Sequence, residues 1–304
     1  CFTINMEGSR ATLTAYLQDV STEMPMMSGR PAIMICPGGS YEMCSDREAE
    51  PIALAYLAEG YNAFVLRYTV GREVEEVFQK AFADAENALE LLRANAKEWN
   101  INPKKIAVIG FSAGGHLASC LGSMGKIRPN VILLGYPAIY FEERDEKGHP
   151  DSAAYVDRYT PPTFMFSTLE DEAVAPMLHP IRFAVALQKA HVPYEMHIFE
   201  RGGHGYSLAK THTAGGKEGL VDANFAQWFP MSINWLKLHM GDFEVKPDAN
   251  YVKTRSKSMK MALEYLENII SWEMYGFEVV GALTDAKQAL KIFRRTRPDL
   301  VISD

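Results

Sequence analysis

The 304-residue chain predicts a doubly wound α/β fold built on a mostly parallel sheet. Two observations carry that expectation. From Pro31 to about Gly241, short apolar, β-branched runs alternate with longer stretches of helical periodicity, the pattern of parallel strands covered by helices on both faces. The composition, 47% apolar, 11% aromatic and 23% charged, is that of an ordinary globular chain and excludes collagen, a disordered tail and a disulfide miniprotein.

The elements follow in order. Phe2 to Gln18 alternates loosely and reads as an antiparallel edge strand or hairpin. Strands are expected at Ala32 to Cys36, Asn62 to Arg67, Lys105 to Gly110, Asn130 to Gly135, Thr163 to Ser167 and Tyr194 to Phe199. Helices are expected at Glu48 to Glu59, Val74 to Trp99, Ala113 to Met124, Met177 to Ala190 and Ser232 to Met240. Residues 1–241 thus form one α/β domain. The polar, Pro247-containing stretch 242–258 has no sustained period and reads as a linker. A helix (Met259 to Trp272), a strand (Phe277 to Ala282), a second helix (Asp285 to Arg295) and an apolar run (Leu300 to Ser303) make up 259–304. So small a segment buries little surface alone, so it is expected to dock on the larger domain or on a second copy of the chain, giving a homodimer.

Charge and cysteine usage narrow the setting. The net charge of −7 falls wholly before Gly241, which argues against a nucleic-acid surface. No run approaches the ~18 apolar residues of a membrane span. The four cysteines (Cys1, Cys36, Cys44, Cys120) show no CxxC pair and no zinc spacing, so they read as reduced thiols. A bacterial cytoplasmic location is the expectation. Secretion stays open because the chain starts at Cys1 rather than Met.

The chemistry concentrates in Gly110-Phe111-Ser112-Ala113-Gly114-Gly115-His116, where a buried strand runs into Gly-x-Ser-x-Gly and then a helix. A sharp strand-to-helix turn imposes unusual backbone angles on the serine, and glycines two before and two after remove side chains that would collide with it. The Ser112 hydroxyl is thereby lifted beside a helix N-terminus that favours developing negative charge. A serine nucleophile needs a base, and the base an orienting carboxylate. After the strand ending at Ser167 comes Glu170-Asp171-Glu172-Ala173-Val174, with Asp171 the favoured acid and its two neighbours the alternatives. After the strand ending at Phe199 comes Gly202-Gly203-His204-Gly205, a glycine-rich loop holding one histidine. The chain order Ser112, Asp171, His204 is nucleophile, acid, base. His197 and His191 read as structural, and His116 should point down its helix. Oxyanion donors are expected from the Ala113 N–H and from the loop Pro37-Gly38-Gly39-Ser40-Tyr41.

These four ordered motifs together resemble the α/β-hydrolase superfamily, across residues 1–241, and within it acetyl esterase/lipase-type members grouped with acetylxylan and feruloyl esterases. The resemblance carries over Gly38, Gly39 and Ala113 as oxyanion donors. Hormone-sensitive-lipase-like relatives have a third glycine where this chain has Ser40 and a histidine where it has Pro37, which makes Ser40 an extra contact. It implies a serine carboxylesterase with no metal or organic cofactor, acting on short acyl esters such as acetyl or feruloyl groups on plant polysaccharide or oligosaccharide. The segment Phe141 to Pro162, where such folds insert lids, is short and charged, which fits small soluble or carbohydrate esters better than long-chain triglycerides. Ser40, Tyr41 and Tyr206 are the substrate-contact candidates. Tyr68 and Tyr136 join Tyr41 and Tyr206 as residues that either stack on sugar rings or simply pack. A prolyl-oligopeptidase-like serine peptidase shares the same three groups and is the rival enzyme.

The run from Tyr265 to Gly281, with Ala289 to Phe293 and Arg297 to Asp304, resembles the first helix to third strand of a response-regulator receiver domain, a partial flavodoxin-like fragment. That resemblance puts Asp304 at the phosphoacceptor position. The acidic residues that hold Mg²⁺ for that chemistry are missing before Met259, where Arg255-Ser256-Lys257-Ser258 stands. A truncated fusion is the expectation, and a signalling or scaffold protein acting through this tail is the reading from another functional class.

Overall fold

The computed structural model describes residues 1–141 and 148–245, with 257, 260 and 261. The chain divides into two units, Cys1–Phe243 and Glu244–Asp304. Apart from residues 260 and 261, the expected tail helices, strand and Asp304 lie outside the described residues, as does part of the expected linker.

An eight-stranded sheet organises the first unit. Its strands are β1 (Phe2–Asn5), β2 (Thr12–Tyr16), β3 (Arg30–Cys36), β4 (Asn62–Arg67), β5 (Ile101–Phe111), β6 (Val131–Gly135), β7 (Thr163–Thr168) and β8 (Tyr194–Phe199). They lie in the order β1-β2-β4-β3-β5-β6-β7-β8. The opening hairpin β1/β2 is antiparallel, as is β2 against β4, and every later pairing is parallel. Strand order reverses around β3 and β5, so the carboxyl ends of those two strands border the crevice where open α/β sheets place their sites.

Both sheet faces are covered, which explains why β3, β6 and β7 are buried at every residue. Alternate residues of each strand feed opposite layers. Met34, Val108 and Ile132 pack with Leu89 and Leu92 of α2 (Val77–Ala94), Leu117 and Leu121 of α3 (Ala113–Met124) and Phe183 and Leu187 of α4 (Pro180–Lys189). Ile33, Ile109 and Leu133 pack instead with Ile52 and Tyr56 of α1 (Glu50–Ala58) and with Trp228 and Leu236 of α5 (Trp228–Met240). Trp228 stacks on Phe166 of β7, with centroids 4.2 Å apart and planes 4° from parallel. Such a pair contributes about 0.5–1.5 kcal/mol beyond its buried area.

Element ends differ from expectation for local reasons. Helix α2 starts at Val77 because Glu76 is left-handed (φ +51°), and it ends at Ala94, where the Asn95 side-chain amide donates to the Leu91 carbonyl. Pro180 and Pro230 each fall in the first turn of a helix, where a missing N–H costs nothing, so α4 begins at Pro180 and α5 four residues before Ser232. Strand β5 reaches back to Ile101, whose pairing with Arg30 is separated by a register shift from Ala32 opposite Ile106. Glu48, expected to open α1, instead closes a separate 3-10 turn, Asp46–Glu48, with its side chain buried. Among the described residues no helix is long and apolar enough to cross a membrane. Cys36 and Cys120 are buried, Cys44 is half-buried and Cys1 exposed, all as free thiols.

Candidate active site

Ser112 sits between β5 and α3 at φ +52°, ψ −118°, a conformation that an L-residue holds only when its surroundings impose it. Three backbone hydrogen bonds do so: the Ser112 N–H donates to the Gly135 carbonyl at 3.0 Å, and the Ser112 carbonyl accepts from His116 and Ala138 at 3.0 and 3.1 Å. The flanking glycines are required sterically. A Cβ on Gly110 would lie 2.0 Å from the Gly114 carbonyl oxygen, and one on Gly114 would lie 2.0 Å from the Cys36 oxygen and 2.4 Å from the Pro37 oxygen.

The loops after β7 and β8 bring Asp171 and His204 to this turn. His204 Nε2 lies 2.8 Å from Ser112 Oγ, and His204 Nδ1 lies 2.7 Å from Asp171 Oδ2. The Asp171 carboxylate is fully buried, whereas the imidazole is about a quarter exposed. Asp171 Oδ1 accepts the N–H groups of Ala173 and Val174 at 3.0 and 2.8 Å, which locks the carboxylate plane. Glu170, the alternative acid, accepts the Gly202 N–H at 2.9 Å and so fastens the histidine loop, while Glu172 is exposed. Arg47 Nη1 donates to the Gly205 carbonyl at 2.9 Å from the opposite side, and the Tyr136 ring stands edge-on to the His204 ring at 5.0 Å. Such an array can carry a proton from the serine hydroxyl to a leaving group while the buried carboxylate holds the imidazole in one tautomer.

The loop after β3 departs from expectation at Gly38. Its N–H donates to the buried Glu48 carboxylate, Oε2 at 2.8 Å, and its carbonyl accepts from Ser45 N–H at 2.9 Å. Gly38 is therefore already spent as a donor. A trans peptide points its C=O and N–H in opposite directions, so the Ser45 contact aims the Gly39 N–H away from the 45–48 turn. Gly38 is buried, Gly39 half-buried and Ser40 exposed. The N–H groups of Gly39, Ser40 and Ala113 meet no hydrogen-bond acceptor among the described residues. Those three, rather than Gly38, are free donors in the loop after β3 and at the nucleophile turn.

The family follows from comparison with known proteins. MGS-M1, an α/β-hydrolase enzyme from a Medee basin deep-sea metagenome library, is 47% identical, with a TM-score of 0.70 over 78% of this chain and 95% of that one. This chain belongs to the α/β-hydrolase family. An acetyl ester-xyloside bifunctional hydrolase from Caldicellulosiruptor lactoaceticus is 31% identical, with a TM-score of 0.64 over 75% of this hydrolase and 88% of that chain. The acetylxylan esterase of Xylanibacter ruminicola is 30% identical over 68% of this hydrolase and 46% of its own length. The chain spans less than half the length of the curated relatives it matches. A family model described as BD-FAE matches residues 19–131, which hold Gly38, Gly39, Ser112 and Ala113, and the prolyl oligopeptidase family model matches 135–226, which hold Asp171 and His204.

The four tyrosines offered as sugar-stacking candidates are scaffold in this hydrolase, because burial and hydrogen bonding consume them. Tyr41, Tyr68, Tyr136 and Tyr206 are all under 7% exposed. The Tyr41 hydroxyl pairs with His116 Nδ1 at 2.8 Å, Tyr68 donates to the Pro37 carbonyl at 2.6 Å, and Tyr136 donates to Glu48 Oε1 at 2.6 Å. Tyr206 packs on Phe225 and under Gly202. Tyr41 and Tyr206 are therefore packed within the scaffold instead of exposed as substrate contacts. His116 faces away from Ser112, its Nε2 against the Pro150 carbonyl at 2.8 Å. His197 pairs with Glu195 within β8.

Two residues that sequence reasoning left unassigned matter here. Glu48 opens an expected helix in sequence, with nothing in the pattern to mark it as buried, and the turn before α1 is what turns it inward. His179 accepts the Ile139 N–H at 2.9 Å and the Tyr140 N–H at 3.3 Å through Nδ1, tying the loop after β6 to the start of α4. Burial holds its pKa below the usual imidazole value, with the neighbouring His204 acting the same way and Asp171 and Asp151 opposing.

Proposed function

We propose that this hydrolase is a serine carboxylesterase for short acyl esters, and that acetyl or feruloyl groups on plant polysaccharide or oligosaccharide are its substrates. The observation that carries the reading is the unbroken chain of contacts from Ser112 Oγ through His204 to the buried Asp171, 2.8 and 2.7 Å, at the carboxyl ends of the strands. His204 takes the Ser112 proton as the oxygen attacks the ester carbonyl. The Gly39 and Ala113 N–H groups, with Ser40 beside them, hold the developing oxyanion. His204 then gives its proton to the departing alcohol, and water repeats the sequence to release the acid. Kinship with an acetylxylan esterase and with an acetyl ester-xyloside hydrolase supports the carbohydrate ester.

Hydrolysis of p-nitrophenyl esters from acetate to octanoate, with methyl ferulate and acetylated xylan alongside, tests this. Acetate should be preferred and acetate release from xylan detectable, both abolished in Ser112→Ala. Activity that survives that substitution, or that rises with chain length to octanoate, contradicts the reading. The match of residues 135–226 to the prolyl oligopeptidase family favours a second reading as a peptidase, which faster cleavage of a prolyl anilide than of the acetate ester would establish.

A further inference from the structure

We propose that Glu48 is a positioning residue for the oxyanion loop and, through Tyr136, fixes that loop relative to the loop that carries His204. The proposal rests on the esterase reading above and adds a residue to it. Glu48 is 3% exposed, and a buried carboxylate persists only where hydrogen bonds replace its water. Oε2 accepts the Gly38 N–H at 2.8 Å and Oε1 accepts the Tyr136 O–H at 2.6 Å. The Tyr136 oxygen in turn accepts the Ser207 N–H at 2.9 Å, three residues past His204. One side chain thus joins the loop after β3, the loop after β6 and the loop after β8.

The geometry makes this more than a satisfied buried charge. Gly38 is gripped from both sides: a Cβ there would lie 2.7 Å from Glu48 Oε2, 2.8 Å from the Phe111 carbonyl oxygen and 3.0 Å from Ser112 Cβ. The carboxylate therefore holds the Gly38 peptide directly against the nucleophile turn. With the Gly38 carbonyl held by Ser45, both peptide planes at Gly38 are set, and so is the direction of the Gly39 N–H. The next two residues, Ser40 and Tyr41, carry positive φ values of 56° and 58°, backbone that relaxes unless it is held. A charged acceptor suits this duty because hydrogen bonds to a carboxylate are roughly twice as strong as neutral ones. The Tyr136 ring that Glu48 orients is the one standing edge-on to His204.

The test compares Glu48→Ala, Glu48→Gln and Tyr136→Phe with the parent chain, reading kcat and KM on p-nitrophenyl acetate, the inhibition constant of a trifluoromethyl ketone, and the melting temperature. Freeing the Gly38 peptide misaligns the oxyanion donors, so Glu48→Ala should lower kcat by about 10²-fold, the scale of one lost donor. KM should stay within about twofold, and the ketone, which binds as the tetrahedral adduct, should weaken in step with kcat. Glu48→Gln keeps an oxygen for the Gly38 N–H but turns an NH2 toward Tyr136 in place of an acceptor, so it should recover the loss only to the several-fold level of Tyr136→Phe. If Glu48→Ala does not fold, Tyr136→Phe decides, with kcat and ketone affinity falling together by several-fold. An unchanged kcat per folded molecule, or a rise in KM at constant kcat and constant ketone affinity, overturns the positioning role. A parent chain without esterase activity, or an active Ser112→Ala, overturns the esterase reading instead.

Discussion

Asp171→Asn puts the three-residue relay to a sharp test, because the structure dictates how the new amide must sit. Oδ1 of Asp171 accepts two backbone N–H groups, from Ala173 and Val174, while Oδ2 faces His204 Nδ1. In the asparagine variant the carbonyl oxygen has to stay on the Ala173/Val174 side. Flipping it would set an NH2 against two buried donors, at about 1–3 kcal/mol for each hydrogen bond left unmade. The amide NH2 then points at His204 Nδ1 and donates to it. The imidazole is driven into the tautomer that carries its proton on Nε2, facing Ser112 Oγ, where it cannot accept the serine proton. On that account kcat on p-nitrophenyl acetate falls by about 10⁴-fold, while KM and the melting temperature change little. A loss under tenfold, with the fold intact, would refute the reasoning, since the histidine would then be working without the carboxylate's control of its tautomer.

Three further outcomes follow from the same structure. Gly114→Ala places a methyl 2.0 Å from the Cys36 carbonyl oxygen, and because backbone cannot yield as a side chain does, it should cost at least about 1–3 kcal/mol by thermal or urea unfolding and eliminate activity; a normally stable, active variant would contradict the steric account of the turn. His179 has a folded-state pKa below its unfolded value, so the folded state binds fewer protons, and stability present above about pH 6.5 is lost as the pH falls toward the folded-state pKa. Melting temperature measured from pH 7.5 to 4.5 should decline less steeply in His179→Gln than in the parent, and parallel curves would exclude the residue as the source. Thiol titration of the native protein should modify exposed Cys1 first and Cys44, whose pKa burial pushes up to about 11, more slowly; Cys36 and Cys120 should react only after unfolding.

The legibility of the site in sequence varied with how local its determinants are. Ser112, Asp171 and His204 each follow a strand whose apolar run ends in glycines or acidic residues, and the structure brings all three within hydrogen-bonding distance. Strands β3, β6 and β7 are legible for the same reason, being buried on both faces as only a sheet covered twice allows, whereas edge strand β8, with Glu195 and His197 half-exposed, shows only an alternating pattern. Gly38 misleads because a glycine pair looks alike in sequence at both positions. Which N–H stays free depends on a carboxylate ten residues on, folded back by the 3-10 turn Asp46–Glu48. Tyr41 and Tyr206 mislead as substrate contacts, and the choice between stacking and packing at Tyr68 and Tyr136 stays open in sequence, because proximity to a loop end says nothing of where a ring points. Three of the four spend their hydroxyls on Pro37, Glu48 and His116, partners distant in sequence.

The most direct measurement is to treat the protein with a diethyl aryl phosphate, which traps an activated serine, and to follow residual esterase activity while mapping the adduct by peptide mass spectrometry. One diethylphosphoryl group per chain, on the peptide containing Ser112, with activity lost in proportion and no labelling in Ser112→Ala or in His204→Ala, is the predicted result. Stoichiometric labelling elsewhere, or full activity after Ser112 is blocked, would contradict Ser112 as the nucleophile and with it the proposed function.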